Sequence, residues 1–265
     1  ADDHLEDADS QYITITLHGS EGRAELSCEE HERMKDCYKD DDYDLVDSVE
    51  NLKDSSKDSR DGANHVCVTD DEVDSKDLHD LKDSCGSKLE FNPEKDVKIK
   101  GDLDVEDAKY AKSCGAKDYT VSDTVEHLKE LGEDSDRASK VRVTDDELDS
   151  NDLRNSCGSK LEFDPDKNVK INGDLDVEDA KYAKSCGAKD YTVSDTVEHL
   201  KDLGDDSDHA SKVRFTDDVV KSSDLHDLKD TCGSKLEFDS DRNIKIDGDL
   251  DVETAKYAKS CGAKE

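Results

Sequence analysis

VKINGDLDVEDAKYAKSCGAKDYTV, running from Val169 to Val193, places two strands and a helix within 25 residues. Val169-Lys-Ile171 alternates apolar and polar side chains, as a half-buried strand does. Ala180, Ala183 and Cys186 then fall at helical spacing. Asp176 stands where an N-cap is expected, and Gly187 where a C-terminal cap is expected. Tyr191-Thr-Val193 alternates again. Two strands joined through a helix by short links imply a parallel crossover.

The same phrases recur along the chain. SCGAKDYTVSDTVEHLK occupies Ser113–Lys129 and Ser185–Lys201, and GDLDVE begins at Gly101, Gly173 and Gly248. CGSKLEF begins at Cys85, Cys157 and Cys232, 72 and 75 residues apart. The difference is local, because DLHDLKDSC from Asp77 and DLHDLKDTC from Asp224 become DLRNSC from Asp152. Three residues are a little under one helical turn. Residues 67–140, 141–212 and 213–265 are read as repeats, the last truncated, and residues 1–66 as a divergent partial repeat.

Further strands are expected at Leu161–Phe163 and Val213–Phe215. Helical stripes are expected at Leu78, Leu81 and Cys85, ended by Gly86, and at Val197, Leu200 and Leu203, ended by Gly204. The expected fold is α/β: about three tandem units of 72–75 residues with short, parallel-leaning strands and short helical crossovers. A solenoid-like array and a string of small α/β domains both satisfy that order.

Charge bounds the partners. The chain carries 73 acidic against 38 basic residues, a formal charge of −35, with 31% hydrophobic residues and no Trp. That composition disfavours one deep core. The negative field repels nucleic acid and anionic membrane surfaces and attracts divalent cations and basic proteins. Thirty Lys against eight Arg argue against adaptation to high salt as the sole cause. No apolar run approaches the roughly 18–20 residues that span a bilayer, so no membrane insertion is expected. Ala1-Asp2-Asp3 reads as a terminus left by cleavage. With nine cysteines at recurrent positions, this points to a secreted or cell-surface protein. The strand-like Tyr12–Leu17, and CGAK at Cys261–Lys264 with no strand after it, suggest head-to-tail self-association.

Cys85 and Cys114, Cys157 and Cys186, and Cys232 and Cys261 are each 29 residues apart. A disulfide within each repeat is the first reading. A loop of that size stabilises by roughly 3–4 kcal/mol on the chain-entropy estimate. A buried small hydrophobe at the helix end is the second, and a zinc site the third, disfavoured because CxxC pairs are absent. Cys28, Cys37 and Cys67 remain unassigned.

Asn168–Asp179 overlays the EF-hand register, but Lys170 stands at a ligand position and Thr254 replaces the last carboxylate in the final copy. Looser binding of calcium or another divalent cation is expected at Asp102, Asp104 and Asp107, at Asp174, Asp176 and Asp179, and at Asp249 and Asp251, with Asp145, Asp146 and Asp149 as a further cluster. The competing reading is a solvated turn followed by a helix N-cap. His79, His226, His127 and His199 are read as surface helix residues. Tyr110, Tyr182 and Tyr257 are read as covering the sheet, with sugar stacking as the alternative. No Gly-rich phosphate loop, HExxH or nucleophile elbow occurs.

FDPDKNVKINGDLDVEDAKYAKSCGA resembles bacterial BON domains in rhythm, which implies envelope or membrane binding. INGDLDV and LKDLG are similar to phrases of receptor L-type leucine-rich repeats. Each likeness covers under a third of a unit, and neither assigns a role to a residue. BON domains lack these cysteines, and L-type repeats are far richer in Leu and Ile. The expected function is a non-enzymatic structural, adhesive or cation-binding role, because near-copies favour avidity over a unique catalytic constellation. A binding module for a basic protein or a glycan is the alternative, and an enzyme the last.

Overall fold

A computed structural model describes residues 24–34, 43–154 and 160–264. The expected strand Tyr12–Leu17, the start at Ala1, Cys37 and Cys157 lie outside the described residues. The architecture is α/β, with several sheets of parallel strands joined through helical crossovers, and no sheet closes into a barrel among the described residues. The chain divides into two compact units: Ala1–Lys100 with Tyr110–Lys117, and Gly101–Lys109 with Asp118–Glu265.

The first unit begins with β1 (Ala24–Leu26), α1 (Cys28–Met34), β2 (Tyr43–Asp47), α2 (Val49–Asp54) and α3 (Lys57–Gly62). It continues through β3 (Val66–Val68), β4 (Glu72–Asp74), α4 (Ser75–Cys85), β5 (Leu89–Phe91) and the first half of β6 (Lys98–Leu103). The division between the units passes through β6 and through α5 (Val105–Cys114). β1, β2, β3 and β5 pair in chain order, all parallel. Leu26, Leu45, Val66 and Leu89 stand opposite one another in successive strands. Each is buried, so one apolar row runs the width of the sheet. The first half of β6 pairs with β4, setting Ile99 against Val73.

The second unit holds β7 (Asp118–Asp123), α6 (Val125–Leu128), β8 (Ala138–Val143), β9 (Glu147–Asp149) and β10 (Leu161–Phe163). There follow β11 (Lys170–Leu175), α7 (Val177–Cys186), β12 (Asp190–Asp195), α8 (Val197–Leu200) and β13 (Ala210–Phe215). It closes with β14 (Val219–Lys221), α9 (Ser222–Cys232), β15 (Leu236–Glu237), β16 (Lys245–Asp247) and α10 (Val252–Ser260). Val121, Val141 and Leu161 form one buried row, and Leu175, Val193, Val213 and Leu236 form another. The two rows use the same residue types at the same registers.

β11 serves two neighbours. Lys170–Asn172 pairs with β9, and after a register shift Asp174 and Leu175 pair with Thr192 and Val193 of β12. Gly173 sits at the shift with φ +92°, and a Cβ there would meet Ser150 Oγ at 2.6 Å. Glycine is required twice over at this bulge, by conformation and by space.

Two elements differ from the sequence reading. The stretch Val197–Leu203 is helical only to Leu200, because Asp202 N–H and Leu203 N–H bond three residues back rather than four. Leu203 is buried all the same. The acidic loop Asp145–Asp149 contains β9, whose Leu148 is buried although both of its neighbours are charged and exposed.

Candidate functional site

Side chains that point away from the apolar rows make the outward face of each sheet. In the second unit one such face carries Asp102, Thr120, Ser122, Lys140, Arg142 and Glu162. The other carries Asp174, Thr192, Ser194, Lys212, Arg214 and Glu237. The residue types match one for one. In both, Thr faces Lys, Ser faces Arg and Arg faces Glu across the ladder.

Arg142 spans its sheet. Its Nη1 donates to Asp102 Oδ2 at 2.7 Å and its Nη2 to Glu162 Oε1 at 2.8 Å. Burial alone would raise the Glu162 pKa, but Arg142 and Lys140 outweigh it and hold the carboxyl below its usual range. Arg214 is set more loosely, 3.5 Å from Glu237 and 4.0 Å from Asp174. Each face offers paired cations, carboxylates and hydroxyls on a flat backbone, a surface suited to recognising polar groups.

The acidic residues expected to bind a cation have other partners. Asp104, Asp176 and Asp251 are N-caps, accepting from Asp107 N at 2.8 Å, Asp179 N at 2.7 Å and Thr254 N at 2.7 Å. Asp102 and Asp174 face the two arginines, and Asp179 pairs with Arg154. Asp107 is buried and Asp249 exposed. No group of three His, Cys, Asp or Glu side chains that could hold a metal ion occurs among the described residues.

A second set of carboxylates, not singled out from sequence, binds backbone. Asp47, Asp123 and Asp195, at strand ends, accept from Cys28 N at 3.0 Å, Val105 N at 3.0 Å and Val177 N at 2.9 Å. Asp70, Asp145 and Asp217 accept from Val49, Val125 and Val197 N, each at 2.7 Å. A strand-end aspartate thus satisfies the first N–H of the helix that precedes its strand, a donor with no partner inside that helix. Basic residues serve the opposite ends. Lys160 Nζ donates to Ser135 O at 2.9 Å and Asp136 O at 2.7 Å, and Lys235 Nζ to Ser207 O at 2.6 Å and Asp208 O at 2.7 Å. The lysine of each CGSK phrase was legible as a repeated position, but its target was not.

The 29-residue spacing brings cysteines together in pairs. Cys85 and Cys114 are both buried, and so are Cys232 and Cys261; all four are free thiols here, as is Cys186. Tyr257 Oη donates to Gly233 O at 2.7 Å, next to Cys232 in sequence. Burial, then the Cys261 and Cys232 thiols, push its hydroxyl pKa upward. Tyr110 Oη donates likewise to Gly86 O at 2.7 Å. Burial first, with a contribution from Cys85, pushes the Cys114 thiol up to about 11.

His127 Nδ1 lies 2.8 Å from Asp123 Oδ1, and His199 Nδ1 lies 2.8 Å from Asp195 Oδ1. The hydrogen bond to the aspartate raises the pKa of each ring. Each pair opens onto a shallow depression, one lined by Val105, Lys109 and Glu130 and the other by Val177, Lys181 and Asp202. Neither lining includes a hydroxyl or thiol nucleophile. No known protein family matches the sequence, and no curated protein does.

Proposed function

We propose that this is a non-catalytic repeat scaffold, secreted or displayed at a cell surface, that binds a basic protein partner through its outward sheet faces. In this reading the 72–75-residue units stack as a solenoid-like array, so that equivalent faces act together and gain by avidity. The supporting observation is the duplicated face: Asp102, Thr120, Ser122, Lys140, Arg142 and Glu162 recur as Asp174, Thr192, Ser194, Lys212, Arg214 and Glu237. Core packing does not demand these residue types, since the apolar rows lie on the other side. A net charge of −35 steers a cationic partner toward them.

The test separates a specific face from the general field. Asp102→Asn, Glu162→Gln, Asp174→Asn and Glu237→Gln together remove four of 73 acidic residues. Binding to immobilised polylysine at physiological salt should weaken at least tenfold, about 1.4 kcal/mol. A loss no greater than that from four neutralised carboxylates on exposed helix positions would refute the proposal.

The same reading takes Cys85 with Cys114, and Cys232 with Cys261, as staples that close in an oxidising compartment. Each pair would give up two protons and two electrons to a small-molecule disulfide. Mass mapping of secreted material without reductant should recover both linked peptides. Free alkylation of all four thiols in the native protein would remove the staples from the proposal.

A further inference from the structure

The segment Ile244–Ala263 repeats Val169–Ala188 in sequence and differs from it in surroundings. In the earlier copy Val169, Ile171, Leu175, Val177, Ala180 and Ala188 are all buried, with Val177 5% exposed. In the later copy Val252 is 72% exposed and Ala255 is exposed, while Ile244, Ile246, Leu250 and Ala263 are only half-buried. Together these side chains form one contiguous apolar face.

The earlier copy shows what covers such a face. β12 lies along the second half of β11, opposing Thr192 and Val193 to Asp174 and Leu175. Asp195, at its end, accepts from Val177 N at 2.9 Å. Tyr191 and Val193 are buried on the same side. β16 ends at Asp247, whereas β11 runs on to Leu175, since Asp249 and Leu250 have no neighbouring strand among the described residues. An extended backbone edge, an apolar strip and a helix N-terminus lacking its second aspartate therefore coincide.

We infer that the β16–α10 face is a docking site for one parallel strand from a second polypeptide. The fitting strand has the pattern of β12: apolar side chains at alternate positions, then an aspartate at its end. Its first apolar residues cover Leu250 and Val252, its backbone extends the sheet from β16, and its aspartate takes up the Val252 N–H. Another repeat of this same type satisfies every one of those demands. The inference is independent of the outward faces, which lie elsewhere on the sheets.

The probe is a labelled peptide with the sequence of Asp190–Leu203, added to the full chain at 0.15 M salt, where screening over about 8 Å limits repulsion between two acidic partners. Fluorescence anisotropy should show saturable binding. It should weaken at least fivefold when the peptide carries Asp195→Ala, and disappear when the chain carries Val252→Asp. A second measurement keeps the inference exposed if the free peptide is too costly to order. Residues 190–215 are appended after Lys264, and melting is followed with and without Val252→Asp. That substitution should lower the melting temperature of the extended chain by about 4 °C or more beyond its effect on the unextended chain. Equal shifts in the two chains, together with no saturable peptide binding, would overturn the inference.

Discussion

Leu175 and Leu250 sit in the same phrase, DLDVE, and meet opposite environments. Leu175 is 1% exposed beneath β12, whereas Leu250 is half-buried beside β16 with no strand over it. Their N-terminal caps are alike: Asp176 and Asp251 both accept from the N–H three residues on, at 2.7 Å. Local chemistry is therefore conserved between the copies, while burial is conferred by the next strand. A single copy contains the instructions for its own caps and turns but lacks the material that completes its core.

The sharpest way to break this comparison is to truncate both leucines. Leu175→Ala should cost about 2–5 kcal/mol, as a buried leucine does. Leu250→Ala should cost less than about 1 kcal/mol, because little apolar area is removed from water there. Urea unfolding of the two variants measures both, and equal costs would mean that β12 contributes no more to its neighbour than solvent does.

A smaller effect is expected at the caps. Asp195→Ala removes the acceptor for Val177 N, for Thr196 N at 2.7 Å and for the His199 ring. The expected loss is about 1–3 kcal/mol, against about 1 kcal/mol for Asp251→Ala, which removes one cap. Amide exchange at Val177 should accelerate in the first variant alone.

The smallest effect is on pH dependence. Asp195 is held below the carboxylate model value of 3.8: burial opposes this, but Val177 N, His199 and Thr196 N together outweigh it. Its contribution is present above that value and is lost as pH falls through the lowered pKa. His199 is raised above 6.5 by Asp195, so its contribution is full below 6.5 and fades as pH rises through the raised pKa. The pair is strongest between these limits, and the same holds for Asp123 and His127. NMR titration should place both rings above 6.5, and Asp195→Asn should return His199 alone toward it. The β16–α10 segment has no such pair among the described residues, so its shifts should stay unchanged across the window.

Much of the fold was legible because it is written in short periods. The alternation at Tyr191–Val193 and the helical spacing of Ala180, Ala183 and Cys186 each mark a face that is buried in the structure. β9 was not legible: Glu147-Leu148-Asp149 has one apolar residue, and it becomes a strand only because Lys170–Asn172 supplies a partner 23 residues later. The site was less readable still. Asp174 and Asp176 looked like neighbours in one acidic cluster, yet one faces Arg214 and the other caps α7. Alternation along a strand separates adjacent carboxylates, and their targets lie outside any local window.

The strand-end aspartates also impose an order in time. Val177 N–H is satisfied by a carboxylate 18 residues downstream, and Val197 N–H by one 20 residues downstream. On the ribosome, at about 5–20 residues per second, each helix therefore waits roughly 1–4 s for its own completion. Every newly emerged helix start spends that interval with its first donor bound only to water, and the most recently made segment is always the least protected.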